Sequence, residues 1–116
     1  MPRQLTTILL DDARRGRIIN IGSQGGLHGD EGLSVYGASK AGLINFTQTL
    51  AAEGKRHNIT ANAVIPGVID TPANRQAMPS ANFAEWVTPA AVAQTILLLA
   101  SETAQAINGA TIPVGA

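Results

Sequence analysis

Arg17-Ile18-Ile19-Asn20-Ile21-Gly22 is a short apolar run bounded by glycines. It has the character of a strand buried on both faces of a parallel sheet, where no polar alternation is required. Working outward, a glycine-rich loop follows from Ser23 to Gly32, and from Ser34 to about Glu53 the pattern turns helical. Leu43, Phe46, Thr47 and Leu50 recur there at three and four, with small residues (Gly37, Ala38, Ala41, Gly42) between them. Such a helix packs closely against a neighbour. Ile59 to Ile65 is the next strand, ended by Pro66-Gly67, and residues 67 to 87 read as a long irregular segment of the kind that carries function. Thr88-Pro89 opens a helix as N-cap and first-turn proline, with Val92, Ile96 and Leu99 on one face, before a last strand over Ala110 to Val114. Upstream, Leu5, Ile8, Leu9 and Ala13 share a helical face over residues 3 to 13, and Arg14-Arg15-Gly16 suits that helix's end. The order α, β, α, β, α, β implies an α/β fold: a parallel sheet flanked by helices, with ligands bound beyond the carboxyl ends of the strands.

Composition narrows the class. A chain of 116 residues, 45% hydrophobic and 14% charged, supports one domain with a real core and is too apolar to be disordered. Eight basic and eight acidic residues cancel, and no basic run interleaves with aromatics, which argues against nucleic-acid or anionic-membrane binding. With no cysteine, disulfides and thiolate chemistry are excluded. No long apolar run opens the chain or approaches a membrane span, so the expected location is cytoplasmic. No metal-ligand cluster stands out.

Tyr36 and Lys40 are four apart on the long helix, so their side chains lie one turn apart on the same face. A free phenol titrates near pH ~10 and is a poor general acid at neutral pH, whereas an ammonium held beside it favours the phenolate. Alone, this spacing also fits an aromatic stem packed beside a solvated lysine.

Four further stretches stand in order along the chain: Arg17 to Ser23, Tyr36-Gly37-Ala38-Ser39-Lys40-Ala41-Gly42, Asn62 to Pro72, and Asn108-Gly109-Ala110-Thr111-Ile112-Pro113-Val114. Together they resemble successive motifs of the short-chain dehydrogenase/reductase family, over nearly all the chain from Arg14 onward. The resemblance implies a nicotinamide-dependent oxidoreductase acting on a small carbonyl or alcohol, with a Rossmann-like doubly wound sheet present as its C-terminal, catalytic half only. It implies that Ser23 hydrogen-bonds the substrate oxygen, Tyr36 exchanges its proton, and Lys40 binds the nicotinamide ribose and tunes the tyrosine. Ser23 lies thirteen before Tyr36, as that pattern expects. Pro66, Gly67, Val68, Ile69 and Thr71 resemble the segment that wraps the nicotinamide. Backbone groups at Val68 and Ile69 would meet the carboxamide, and the Thr71 hydroxyl a phosphate. The plain alternative is a loop whose Asp70 or Thr71 caps a following helix. Residues 70 to 89, with Met78-Pro79, Phe83 and Trp86, look like the corresponding stretch of dihydropteridine reductase-like proteins.

The family's upstream phosphate loop has no counterpart, because no Gly-x-x-x-Gly-x-Gly occurs. Gly22 to Gly26 coincides with the serine motif and does not open a helix as a phosphate cradle must. The chain is therefore read as one unit, 1–116, about half of a doubly wound domain: a truncated product, an expressed piece, or one fragment of a split enzyme. NAD or NADP is the expected cofactor, without its phosphate-binding half, and the isolated chain is expected to be inactive. The competing reading is a remnant that folds and associates without catalysis. A parallel sheet cut through its middle leaves an unpaired edge, so a homo-oligomer or pairing with a separate N-terminal half is expected. In the family the long helix also commonly packs against its mate. His28 and His57 read as polar surface, and Arg14, Arg15 and Arg17 as solvated charges around a helix end. Phe83 and Trp86 either wall a substrate pocket or anchor the long loop.

Overall fold

The computed structural model describes residues 15–115. The helix read over residues 3–13, and Arg14, lie outside them. Strands β1 (Gly16–Ile21), β2 (Ile59–Pro66) and β3 (Thr111–Val114) form an all-parallel sheet in the order β1-β2-β3. Gly16 faces Ile59 and Ile21 faces Val64; Ala63 faces Thr111 and Pro66 faces Val114. This is the three-stranded α/β sheet that the sequence implies.

The central strand carries the core. Ile59 through Ile65 are all buried, as expected of an apolar run with neighbours on both edges. Strand β1 departs from the expectation of burial on both faces: it is half-buried throughout and Ile21 is exposed. The reason is its position, since among the described residues it pairs with β2 alone.

Helix α1 (Ser34–Gly54) joins β1 to β2 and packs on β2 through Leu50 and Ala51 against Ala61, with Ile18 alongside. Gly54 is required at its end, because a Cβ there would lie 2.9 Å from Ile59 Cβ. Asn58 then turns the chain into β2 from the left-handed region, at φ 60°.

Residues 67–87 are more ordered than their composition suggests. Thr71 caps a short helix α2 (Pro72–Ala77), its hydroxyl accepting from Asn74 N–H at 3.1 Å, with Pro72 in the first turn. An isolated parallel bridge pairs Ile69 with Val87. Its bonds run from Val87 N–H to Val68 C=O (2.9 Å) and from Asp70 N–H to Val87 C=O (2.7 Å). Helix α3 (Pro89–Ala100) begins as read from sequence, Thr88 Oγ1 accepting from Ala91 N–H at 3.1 Å, and buries Val92 and Leu99 while touching all three strands.

Two asparagines fasten the entry to β3. Asn62, 1% exposed, donates to Ile107 C=O (3.0 Å) and accepts from Ala110 N–H (2.9 Å). Asn108 accepts from Ala61 N–H (2.9 Å) and donates to Ala51 C=O (3.1 Å), joining β2 to α1. The buried Asn62 amide and the half-buried Asn108 amide thus each satisfy two backbone groups. Among the described residues no helix is long and apolar enough to cross a membrane.

Candidate active site

Because the strands are parallel, the segments leaving β1 and β2 emerge at the same end of the sheet. Ser23 follows β1, and Pro66 to Ile69 follow β2. Together with Tyr36 from the first turn of α1, they line one open cleft of about 370 Å³. Gly22, Gln24, Asn74 and Met78 complete its wall.

Tyr36 Oη donates to Ser23 Oγ at 2.9 Å. Ser23 Oγ also accepts from Gly25 N–H at 3.3 Å, capping the one-turn helix Gln24–Gly26. A hydroxyl has two acceptor positions and one donor. With both acceptor positions engaged inside the protein, the Ser23 proton is left to donate outward, as polarising a substrate oxygen requires. Lys40 Nζ lies 5.7 Å from the centre of the Tyr36 ring, on the same helical face.

Two glycines make this arrangement possible. A Cβ on Gly25 would approach the Tyr36 ring to 2.9 Å. One on Gly26 would come within 2.6 Å of the Lys40 carbonyl carbon and 2.8 Å of Ala41 N. The turn after Ser23 therefore seats directly against the helix backbone at Lys40.

The segment after β2 offers a ligand mainly its N–H groups. Val68 C=O is taken by Val87 N–H, and Ile69 C=O accepts from Asn74 Nδ2 at 2.8 Å. Thr71 is not among the residues lining the cleft. Its hydroxyl accepts from Asn74 N–H, which still leaves its proton to donate. Asp70 receives two hydrogen bonds from Arg75, at 2.6 and 2.8 Å, which hold its carboxyl below the usual carboxylate range. Arg75 lies 4.5 Å over the Phe83 ring, and Phe83 lies 4.8 Å from Trp86. Neither aromatic lines the cleft; they pack within the segment, Phe83 between Arg75 and Trp86.

The remaining residues singled out above fall elsewhere. His28 is exposed, 3.7 Å from Asp30, and His57 is exposed in the turn after α1. Arg15 pairs with Glu102, whose carboxyl that hydrogen bond holds low. Arg17 is a correction to the reading of solvated charges, being half-buried with Nη1 on Gly16 C=O at 3.1 Å. It lies with Arg15 and Lys55 in a larger hollow, of about 610 Å³, at the amino ends of the strands, away from Ser23 and Tyr36. Among the described residues no cluster of metal-ligating side chains occurs.

A family model described as Enoyl-(Acyl carrier protein) reductase matches residues 3–116. The chain belongs to the short-chain dehydrogenase/reductase family. Among curated members, it is 40% identical over 109 residues to an acetoacetyl-CoA reductase of Paracoccus denitrificans, covering 86% of this chain and 45% of that protein. It is 42% identical over 111 residues to a 3-oxoacyl-(acyl-carrier-protein) reductase of Pseudomonas aeruginosa, covering 88% of this chain and 44% of that one. A solved 3-oxoacyl-(acyl-carrier protein) reductase from Brucella melitensis with bound NAD superposes with a TM-score of 0.76 at 35% identity, over 95% of this chain and 43% of that one. The chain thus spans about half the length of the short-chain dehydrogenases it matches. Use of NAD(P) is a property of this family; the cleft presents hydroxyls at Ser23 and Tyr36 and N–H groups after β2, with the Lys40 ammonium beside the Tyr36 ring and outside the cleft's lining.

Of the residues singled out in the sequence, Ser23, Tyr36 and Pro66 to Ile69 line the cleft, Lys40 lies beside the Tyr36 ring, and Thr71 stands outside the lining. Sequence reasoning missed Gln24, Asn74 and Met78 as cleft residues.

Proposed function

We propose that this chain is the catalytic, carboxyl-terminal half of an NAD(P)-dependent reductase of carbonyl compounds. The observation that carries the reading is the Tyr36 Oη to Ser23 Oγ contact of 2.9 Å in a cleft walled by Pro66 to Ile69. Bound NAD(P)H supplies the hydride. Tyr36 gives its proton to the carbonyl oxygen, Ser23 donates a hydrogen bond to the same oxygen, and in the reverse direction Tyr36 takes the proton back. Lys40, beside the Tyr36 ring, would hold the nicotinamide ribose. The N–H groups of Val68 and Ile69 would receive the carboxamide oxygen, and the Thr71 hydroxyl would donate to a phosphate.

The names of the relatives support a 3-oxoacyl thioester as substrate. The likeness of residues 70–89 to dihydropteridine reductase-like proteins makes a quinonoid dihydropterin the second compound to assay. On this reading, turnover requires a phosphate-binding half alongside these 116 residues. The outer edge of β1, unpaired among the described residues, supports pairing there with that half or with a second copy.

The test joins the chain to the amino-terminal half of the Pseudomonas aeruginosa reductase and follows nicotinamide oxidation with both substrates. Turnover of acetoacetyl-CoA supports the reading. A folded chimera that binds cofactor yet turns over neither compound favours the non-catalytic alternative.

A further inference from the structure

Ser23 and Tyr36 sit on the exit of β1 and on α1; the helix is seated on the turn Gln24–Gly26 just after Ser23, but along β1 itself its apolar contact is through Ile18. Helix α1 packs on β2, whereas Ser23 hangs from the end of β1. The apolar surface between α1 and β2 is built from Leu50, Ala51 and Ala61. Such contact is non-directional, and small side chains resist sliding weakly. A helix that slips by one residue moves by about 1.5 Å and swings its side chains by about 100°, enough to break the Tyr36 to Ser23 contact.

Among the described residues, a buried polar link joins β1 and α1 directly. Asn20 Nδ2 donates to Thr47 Oγ1 at 2.9 Å, and Thr47 Oγ1 donates to Leu43 C=O at 2.7 Å. Thr47 is 1% exposed. A hydrogen bond holds its atoms within a few tenths of an ångström, which apolar contact does not. Asn20 lies three residues before Ser23 on the same strand, and Thr47 lies about 16 Å along the helix axis from Tyr36. The half-buried Asn108, before β3, also bonds this helix, but it ties Ala51 to β2 and not to the strand that leads to Ser23.

We propose that Asn20 and Thr47 are positioning residues that set where α1 lies along β1, and so hold Tyr36 Oη on Ser23 Oγ. The proposal rests on the catalytic reading above only for its consequence; the positional claim is testable without turnover.

Tyr36 is the single tyrosine, so its ring gives one set of NMR signals in the tyrosine-labelled chain. Ser23→Ala, which removes the direct partner, calibrates how far those signals move when the contact is lost. Thr47→Val and Asn20→Ala are each expected to move them in the same direction by at least half as much, and Thr47→Ser, which keeps the hydroxyl, to restore them. Should Thr47→Val not fold, Asn20→Ala carries the test, since Thr47 then still bonds to Leu43. Melting temperatures that fall while the Tyr36 signals stay at wild-type positions would overturn the proposal. Signals that ignore Ser23→Ala as well would overturn the contact itself, and with it the basis of the catalytic reading.

Discussion

Replacing Gly26 by alanine is expected to damage the site far more than a methyl group suggests. The new Cβ would sit 2.6 Å from the Lys40 carbonyl carbon, 2.7 Å from its oxygen and 2.8 Å from Ala41 N. Carbon contacts are comfortable near ~3.5–4.0 Å, so the turn and the helix must part by about 1 Å. All three obstacles are helix backbone, and no side-chain rotation relieves them. Overpacking of this kind costs about 1–3 kcal/mol, which at roughly 4 °C per kcal/mol lowers the melting temperature by roughly 4–12 °C. The same displacement separates Ser23 from Tyr36, and misplacement of catalytic groups by about 1 Å costs up to ~10²-fold in rate. Gly29→Ala is the control, because its Cβ would meet nothing within 4 Å; its effect should stay within about 0.5 kcal/mol. Thermal melts of the two variants, with the Tyr36 ring signals as a local probe, decide the matter. A Gly26→Ala chain that melts with wild type and leaves Tyr36 undisturbed would refute the claim that this glycine seats the turn on the helix.

Ser23→Ala in the completed enzyme should cost about 3 kcal/mol of transition-state stabilisation, read as kcat/KM, if Ser23 donates to the developing oxyanion; an unchanged value contradicts that role. Asn62→Ala should lower stability by about 1–3 kcal/mol for each orphaned backbone group, measured by urea unfolding, because Ile107 C=O and Ala110 N–H lose their partner together. Asp70 is held low by its hydrogen bonds from Arg75, and a depressed carboxylate contributes stability above its ordinary range that is lost as pH falls through the lowered value. The 70–87 segment should therefore loosen only below about pH 4, followed by fluorescence of Trp86, the single tryptophan; an acid transition unchanged in Arg75→Gln argues against the pairing. The isolated chain should bind NADH and NADPH weakly in titration calorimetry, since pyrophosphate recognition relies on a glycine loop and helix N-terminus that its sequence lacks. Tight saturable binding would place the phosphate site elsewhere.

What the sequence revealed follows from range. Strands and the long helix were legible because apolar periodicity and caps are local: Thr88-Pro89 starts α3 where it was expected, and α1 runs from Ser34 to Gly54, one residue past its expected end. The Tyr36 to Lys40 relation was legible because helix geometry alone sets it. The half-burial of β1 was not, since the number of neighbours a strand has is a property of the sheet and not of the strand. The order within residues 67–87 was hidden because it depends on pairs distant in sequence: Ile69 with Val87, and Arg75 with Phe83. The Asn20 to Thr47 bond spans 27 residues. Thr47 was read only as part of a packing face, although a hydroxyl buried on such a face calls for a partner.

The central claim is that Tyr36 supplies the proton. Its most direct test is kcat/KM for Tyr36→Phe in the chain joined to a relative's phosphate-binding half, with cofactor affinity measured on the same protein. Turnover should vanish while cofactor affinity stays within about threefold, because the ring still packs and only the proton donor is gone. Wild-type turnover by Tyr36→Phe would contradict the assignment.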